Sequence, residues 1–335
     1  MSKRKKTDRF QLITDSRKGK NPELENHVKL VKGYLKKNGL KTHVVLVRSK
    51  KEATSSAERA IKDGTKVVIA MGNDSLIEGV MRGMIGSKSL LGIIPIGTRN
   101  NIASSLGIPE DLNEACSLIT SGQVRKLDLG QVKIGKGRKF VFFEMVTIGL
   151  VDVIYPAAHK AAQGIFPTLK NARTSSTEAE VKPKVSLTLS DKSVIEVETM
   201  LVMVANTPVH GKNFKVAPDV SSNDGLLDIS VYPNFGKIEL LRYSAAVLNG
   251  GYSGDGKVQH YQTKKLKIKT SPRLDVMADG VVLGKGEVSI KVLPGALRIL
   301  TSEKTSAVGK PKRGKVTTQL SPIPPTEEKP VSEKA

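Results

Sequence analysis

Two short runs carry the residue types that hold phosphate. Met71-Gly72-Asn73-Asp74-Ser75 follows the β-branched run Lys66–Ala70 and precedes Leu76, Ile77, Val80, Met81 and Met84 at helical spacing. A strand–turn–helix joint of this kind aims backbone N–H groups at whatever lies above the turn, which suits an anion. Ser75 and Glu78 also stand at the S-x-x-E spacing of a capping box, so ordinary helix capping explains the same residues. The second run, Pro95-Ile96-Gly97-Thr98-Arg99-Asn100-Asn101, follows Leu91–Ile94 and leads into a short helix, Ile102–Leu106, stopped by Gly107 and Pro109. Gly97 lets the backbone approach a ligand, Thr98 offers a hydroxyl and Arg99 a charge suited to phosphate. Either turn alone is weak evidence. On consecutive parallel strands they would lie side by side at one sheet edge, and together they point to a nucleotide site.

The elements that must position these turns follow from apolar periodicity. Phe10–Ile13, Thr42–Val47, Lys66–Ala70, Leu91–Ile94 and Val124–Leu129 are of strand length and rich in β-branched residues. Leu24, Val28, Val31 and Leu35 recur at helical spacing, and Ala53, Ala57, Ala60 and Ile61 give a narrower helical face. This order predicts an α/β domain with a mostly parallel sheet. After about residue 126, strand-like runs follow one another at Phe140–Thr147, Val185–Leu189, Val194–Ala205, Leu227–Tyr232, Lys264–Lys269, Val288–Val292 and Ala296–Thr301. That texture predicts an antiparallel β-sandwich domain, with helices at 236–248 and 153–172. The expected divisions are a basic arm at 1–8, a nucleotide-binding domain at 9–125, a β-sandwich domain at 126–301 whose last strand returns to the first domain, and a disordered tail at 302–335.

Composition narrows the partners. The 335 residues include 39% hydrophobic ones, enough for two cores, and carry a formal charge of +22. Such a charge attracts polyanions: nucleic acid, an anionic membrane surface or phosphorylated ligands. Aromatics are 4% and Trp is absent, which disfavours a nucleic-acid role that depends on stacking. Cys116 is the single cysteine, so neither an internal disulfide nor a cysteine-rich metal module can form. The five histidines, His27, His43, His159, His210 and His260, are scattered without ligand spacing. No secretory signal and no bilayer-length apolar run is present, so the expected location is cytoplasmic, peripheral at a membrane where lipid is bound.

The joint pattern resembles the diacylglycerol and sphingoid lipid kinases, whose catalytic domain is akin to NAD kinases and phosphofructokinases. The family pattern G-G-D-G-T-x-x-E is similar to Met71–Glu78, and I-P-x-G-T-x-N-D is similar to Ile94–Asn101, followed by L-G-I-P at Leu106–Pro109. Leu127-Asp128-Leu129-Gly130, Asn206, Ala217-Pro218-Asp219, Asn223–Asp228 and Pro294–Arg298 continue the resemblance in order to about residue 301. It implies ATP with its phosphates on Gly72, Asn73, Asp74, Ser75, Gly97, Thr98 and Asn100, and a lipid hydroxyl as acceptor. It also implies a catalytic Asp279, at the first position of a D-G-E motif, and a structural Mg²⁺ at Ser221, Asp224 and the carbonyl of Leu226. Oxygen donors of that kind are what Mg²⁺ prefers, although Asn223-Asp224-Gly225 is equally strong turn chemistry. A homodimer is left open.

The departures from the pattern fall on the chemistry. Asn73 and Asp74 replace an acid and a glycine, Asn101 replaces an acid, and Val281 stands where D-G-E has its glutamate. Val281 cannot accept a proton, which leaves Asp279, or Asp74 in a rearranged turn, for that role. A carboxylate at position 74 would also repel phosphates unless a metal bridges the two. Thr14-Asp15-Ser16-Arg17-Lys18-Gly19 replaces the N-terminal N-P-x-x-G. Two readings stay open: an ATP- and Mg²⁺-dependent lipid kinase, and a degenerate homologue that binds nucleotide or lipid without efficient turnover.

Overall fold

The computed structural model describes residues 10–16, 22–97, 100–149, 183–207, 220–232 and 258–302. Expectations placed on Thr98, Arg99, His159, His210, Ala217–Asp219, the helices at 153–172 and 236–248, and the two chain termini lie outside these residues.

The β-branched runs at the start of the chain alternate with helices as their pattern predicts. In order these are β1 (Phe10–Asp15), α1 (Pro22–Lys37), β2 (Thr42–Val47), α2 (Lys50–Lys62), β3 (Val67–Gly72), α3 (Asp74–Met84), β4 (Leu90–Pro95), α4 (Asn101–Ser105) and α5 (Leu112–Ser121). The strands pair in parallel in the order β2-β1-β3-β4. All six residues of β3 are buried, as a central strand covered on both faces requires. Small side chains let α2 and α3 meet closely. Thr54 Oγ1 donates to the Gly79 carbonyl at 2.9 Å, and a Cβ on Gly79 would lie 2.7 Å from the Lys50 carbonyl.

Beyond α5 the regular elements among the described residues are all strands: β5 (Gln123–Ile134), β6 (Lys139–Phe142), β7 (Met145–Gly149), β8 (Lys184–Thr188), β9 (Val194–Glu198), β10 (Leu201–Ala205), β11 (Leu227–Tyr232), β12 (Gln259–Thr263), β13 (Lys265–Ser271), β14 (Asp275–Ala278), β15 (Val281–Lys285) and β16 (Val288–Thr301). A second sheet, in the order β12-β11-β10-β7-β14-β15, is antiparallel throughout. It packs on the half of the first sheet built from β16, β13 and β8. Val146, Ile148, Val202 and Ile229 from one side share a core with Val185, Leu266, Ile268 and Ile290 from the other. This is the expected sandwich.

Several segment expectations need correction. The single runs foreseen at 140–147 and 194–205 are each two strands, broken by turns at 143–144 and 199–200. The two runs foreseen at 288–292 and 296–301 are one strand, β16, with a register shift between Leu293 and Leu297. That shift holds Pro294, which has no amide to donate, and Gly295 at φ +56°. Before the shift β16 pairs with β13 and β5; after it, Ile299 lies opposite Leu91 of β4 in parallel. One strand therefore stitches the β-rich half to the α/β half. Strands β12, β14 and β15 were not foreseen.

Candidate active site

The site is built where β3 and β4 end. Gly72 lies opposite Pro95 in the parallel register, and the Ile96 amide donates to the Gly72 carbonyl at 3.0 Å. The two candidate phosphate turns are thus neighbours. A Cβ built on Gly97, whose φ is +127°, would sit 3.4 Å from the Cβ of Asn73. Only glycine occupies that backbone region without strain, so the second turn comes against the first through the one residue that permits it. Buried Thr14 steadies the end of β3 by donating from Oγ1 to the Met71 carbonyl at 2.8 Å.

The capping box foreseen at Ser75 and Glu78 does not form. Asn73 is the N-cap of α3, its side chain accepting from the Leu76 amide at 3.3 Å. Glu78 instead accepts from Arg82 at 2.7 Å and pairs with Lys50. The Arg82 guanidinium lies over the rings of Phe140 and Phe143, 4.7 and 5.2 Å from their centroids, which ties α3 to the β6–β7 turn.

Asp74 joins the two turns directly. Its Oδ2 accepts from the Asn101 amide and its Oδ1 from the Ile102 amide, each at 3.0 Å. The carboxylate that would repel a phosphate is turned onto the start of α4, where its charge meets two N–H dipoles. Burial raises its pKa above the usual carboxylate value; the two amides act against that rise, and the charges of Glu144 and Glu78 add to it. Asn100, 8% exposed, donates from Nδ2 to the Gly97 carbonyl at 3.1 Å, while its Oδ1 has no hydrogen-bond partner among the described residues. A buried amide oxygen of this kind at a ligand-facing turn fits a donor supplied by a bound molecule.

Asp279 is linked to the turns through Glu144, whose charge acts on both Asp74 and Asp279. It opens a two-residue hairpin between β14 and β15: Asp279 has φ +44°, Gly280 has φ +76°, and Ala278 pairs with Val281. Asp-Gly is strongly preferred at such turns. The Asp279 carboxylate points inward. Oδ2 accepts from the Phe143 amide at 2.7 Å, and Oδ1 from Glu144 and Met145 at 3.0 and 3.2 Å. Burial pushes its pKa up to about 6, with the neighbouring Glu144 charge adding to the rise and the three amides opposing it. Val281, at the glutamate position of the D-G-E pattern, is 45% exposed beside it.

Glu144 is the residue that sequence reasoning missed. Its backbone is fixed on both sides: Asp279 takes its N–H, and the Asn206 amide donates to its carbonyl at 2.8 Å. Asn206 Nδ2 also donates to the carbonyls of Phe143 and Asp128, each at 2.9 Å. The Glu144 charge reaches both Asp74 and Asp279. A lone acid in the apolar run Val141–Ile148 was the only signal available.

The third group of predicted residues lies elsewhere in the β-rich half. Ser221 Oγ donates to Asn223 Oδ1 at 2.6 Å, and Asp224 Oδ1 accepts from the Leu226 amide at 2.9 Å, an Asx turn. Asp128 fixes this loop by accepting from the Gly225 and Gly295 amides, each at 2.6 Å. Burial, and then the charge of Asp128, raises the Asp224 pKa. The donors are hard oxygens and the two acids repel each other, so a cation there has charge to neutralise. Among the described residues, no group of three or more His, Cys, Asp or Glu side chains is placed to hold a metal. Cys116 is buried, its thiol pushed up to about 11 by that burial, as a packing residue would be.

An α/β domain with paired turns at the ends of parallel strands, closed by an antiparallel sandwich, is an arrangement that solved structures share. A diacylglycerol kinase from Bacillus anthracis superposes with a TM-score of 0.64 at 20% identity, over 90% of this chain and 99% of that one. Yeast NADH kinase does so at 0.52 and 10%, over 92% and 90%. These likenesses define the class as an NAD-kinase-like two-domain fold. Residues 9–132 match the family model "Diacylglycerol kinase catalytic domain", and residues 177–301 match "YegS C-terminal NAD kinase beta sandwich-like domain". A Diacylglycerol kinase of Bacillus subtilis is 28% identical over 68% of this chain and 75% of its own length. A Salmonella gallinarum protein named Probable lipid kinase YegS is 26% identical over 86% and 94%. The chain belongs to the diacylglycerol-kinase-type family of lipid kinases.

Proposed function

We propose that the protein transfers the γ-phosphoryl group of ATP to the hydroxyl of a diacylglycerol-like or sphingoid-like lipid drawn from an anionic membrane surface. The observation that carries this reading is the closure of the Gly72–Ser75 turn onto Gly97 and onto the Asn101 and Ile102 amides, with the Glu144 charge acting on both Asp74 and Asp279. Phosphoryl transfer asks a protein for positioning and charge neutralisation more than for covalent chemistry. The turns supply backbone dipoles, and Asp74 holds them in register. In the reaction the lipid oxygen bonds to the γ-phosphorus, the bond from that phosphorus to the bridging oxygen breaks, and ADP leaves. The hydroxyl proton passes to Asp279, whose pKa of about 6 leaves it ionised at neutral pH and close to the ideal for a general base. Ser221, Asp224 and the Leu226 carbonyl would hold a structural Mg²⁺, which would neutralise the charges that Asp224 and Asp128 bring together.

The experiment is phosphate transfer from ATP to a panel of diacylglycerol, sphingoid and polyprenol acceptors, with Gly97→Trp as the control that fills the second turn. Transfer to one class above the control supports the reading and names the acceptor. Retained ligand binding with no transfer above the control would overturn it.

A further inference from the structure

The cross-strand register lays out a charged surface that no single stretch of sequence contains. On the first sheet, Leu266, Ile268, Val288, Ile290 and Val132 face the sandwich core. Their strand neighbours Lys265, Lys267, Ser289, Lys291 and Lys133 therefore face outward. Lys265 stands directly opposite Lys291, and Lys133 directly opposite Lys139. Ser289 separates Lys267 from Lys133 in one cross-strand row, so these five lysines share one face of four adjacent strands, β13, β16, β5 and β6, and Lys269 extends the β13 row. Lys133 is half-buried and the other four are exposed. Among the described residues none of the five forms an ion pair; the acids nearest in the register, Glu196 and Glu198 on β9 and Glu287 before β16, border the band rather than interrupt it.

Like charges directly opposite on a sheet destabilise it, so two such pairs side by side are a cost that an external anion removes. We infer that this face docks on the anionic surface of a lipid bilayer. A pleated sheet about four strands wide, at roughly 4.8 Å per strand, presents a near-planar array of ammonium groups. That shape suits a plane of headgroup phosphates, whereas nucleic-acid sites that track a single strand use a groove with aromatic platforms. The inference rests on the lipid-kinase reading for its choice of partner, because a lipid acceptor is met at a bilayer.

The test uses the full chain and sedimentation with vesicles of phosphatidylcholine alone or with added phosphatidylglycerol. The variant is Lys265→Glu/Lys267→Glu/Lys291→Glu; a control with equal charge change, Lys29→Glu/Lys32→Glu/Lys36→Glu, alters exposed positions on α1. The expected result is binding to the anionic vesicles only, weakened about 100-fold or more by the sheet variant and far less by the α1 control. Turnover of a water-soluble short-chain acceptor is expected to be the same in all three proteins. Equal loss in both variants, or equal binding to neutral vesicles, overturns the inference. So does tighter binding to duplex DNA at physiological salt that the sheet variant abolishes. Absence of short-chain turnover in the wild type would instead strike the kinase reading, leaving the vesicle result to be judged separately.

Discussion

The backbone N–H of Glu144 donates to Oδ1 of Asp279 at 3.0 Å, while the side-chain charge of the same glutamate raises the pKa of Asp279. Glu144 thus fixes the carboxyl group through its amide and tunes it through its charge. If Asp279 accepts the proton in turnover, the acid limb of the kcat–pH profile lies near its pKa of about 6. A like charge favours the protonated form, so its removal makes Asp279 more acidic. Glu144→Gln is therefore expected to move the limb to lower pH. A limb that stays in place, or moves upward, would show that the residue titrating is not Asp279.

Asp74 bridges the two turns through both carboxylate oxygens. Asp74→Ala strips the start of α4 of this cap and is expected to cost about 1–2 kcal/mol of stability, read as a lower urea midpoint at unchanged slope. The KM for ATP should rise as well, because the turns lose the brace that holds them side by side. A variant as stable and as active as the wild type would mean that the bridge contributes nothing.

Asp128 bonds the amides of Gly225 and Gly295 while its own carbonyl receives Asn206, so it ties the β11 loop and the β16 bulge to the site turn. Asp128→Asn exchanges one acceptor for a donor and leaves a buried amide facing it. Denaturant unfolding is expected to show a loss of about 2 kcal/mol. A negligible change would mean the two glycine amides find other partners.

Much of the α/β half was legible because its signals are local. The β-branched runs at Thr42–Val47 and Leu91–Ile94 report parallel strands by composition alone, the first an edge strand and the second buried, and Gly97 announced a close approach of backbone. The β-rich half was less so. Strand β12, Gln-His-Tyr-Gln-Thr, is polar and lies at a sheet edge, where packing imposes no apolar pattern. The β14–β15 hairpin was obscured because Asp279-Gly280 was taken for chemistry alone, although the same dipeptide is a strong turn former. The N-cap went to Asn73 rather than Ser75 because the chain enters α3 two residues earlier than the S-x-x-E spacing suggests. Glu144 and the lysine face depend on contacts and registers between distant segments, which no local pattern encodes.

The central claim, that Asp279 and the paired turns act on one reaction, is tested most directly by the turnover of Asp279→Asn on whichever acceptor the panel identifies. The account predicts that kcat falls about 100- to 10,000-fold while ATP binding stays near that of the wild type. Wild-type turnover in that variant, or a loss confined to KM, would contradict it.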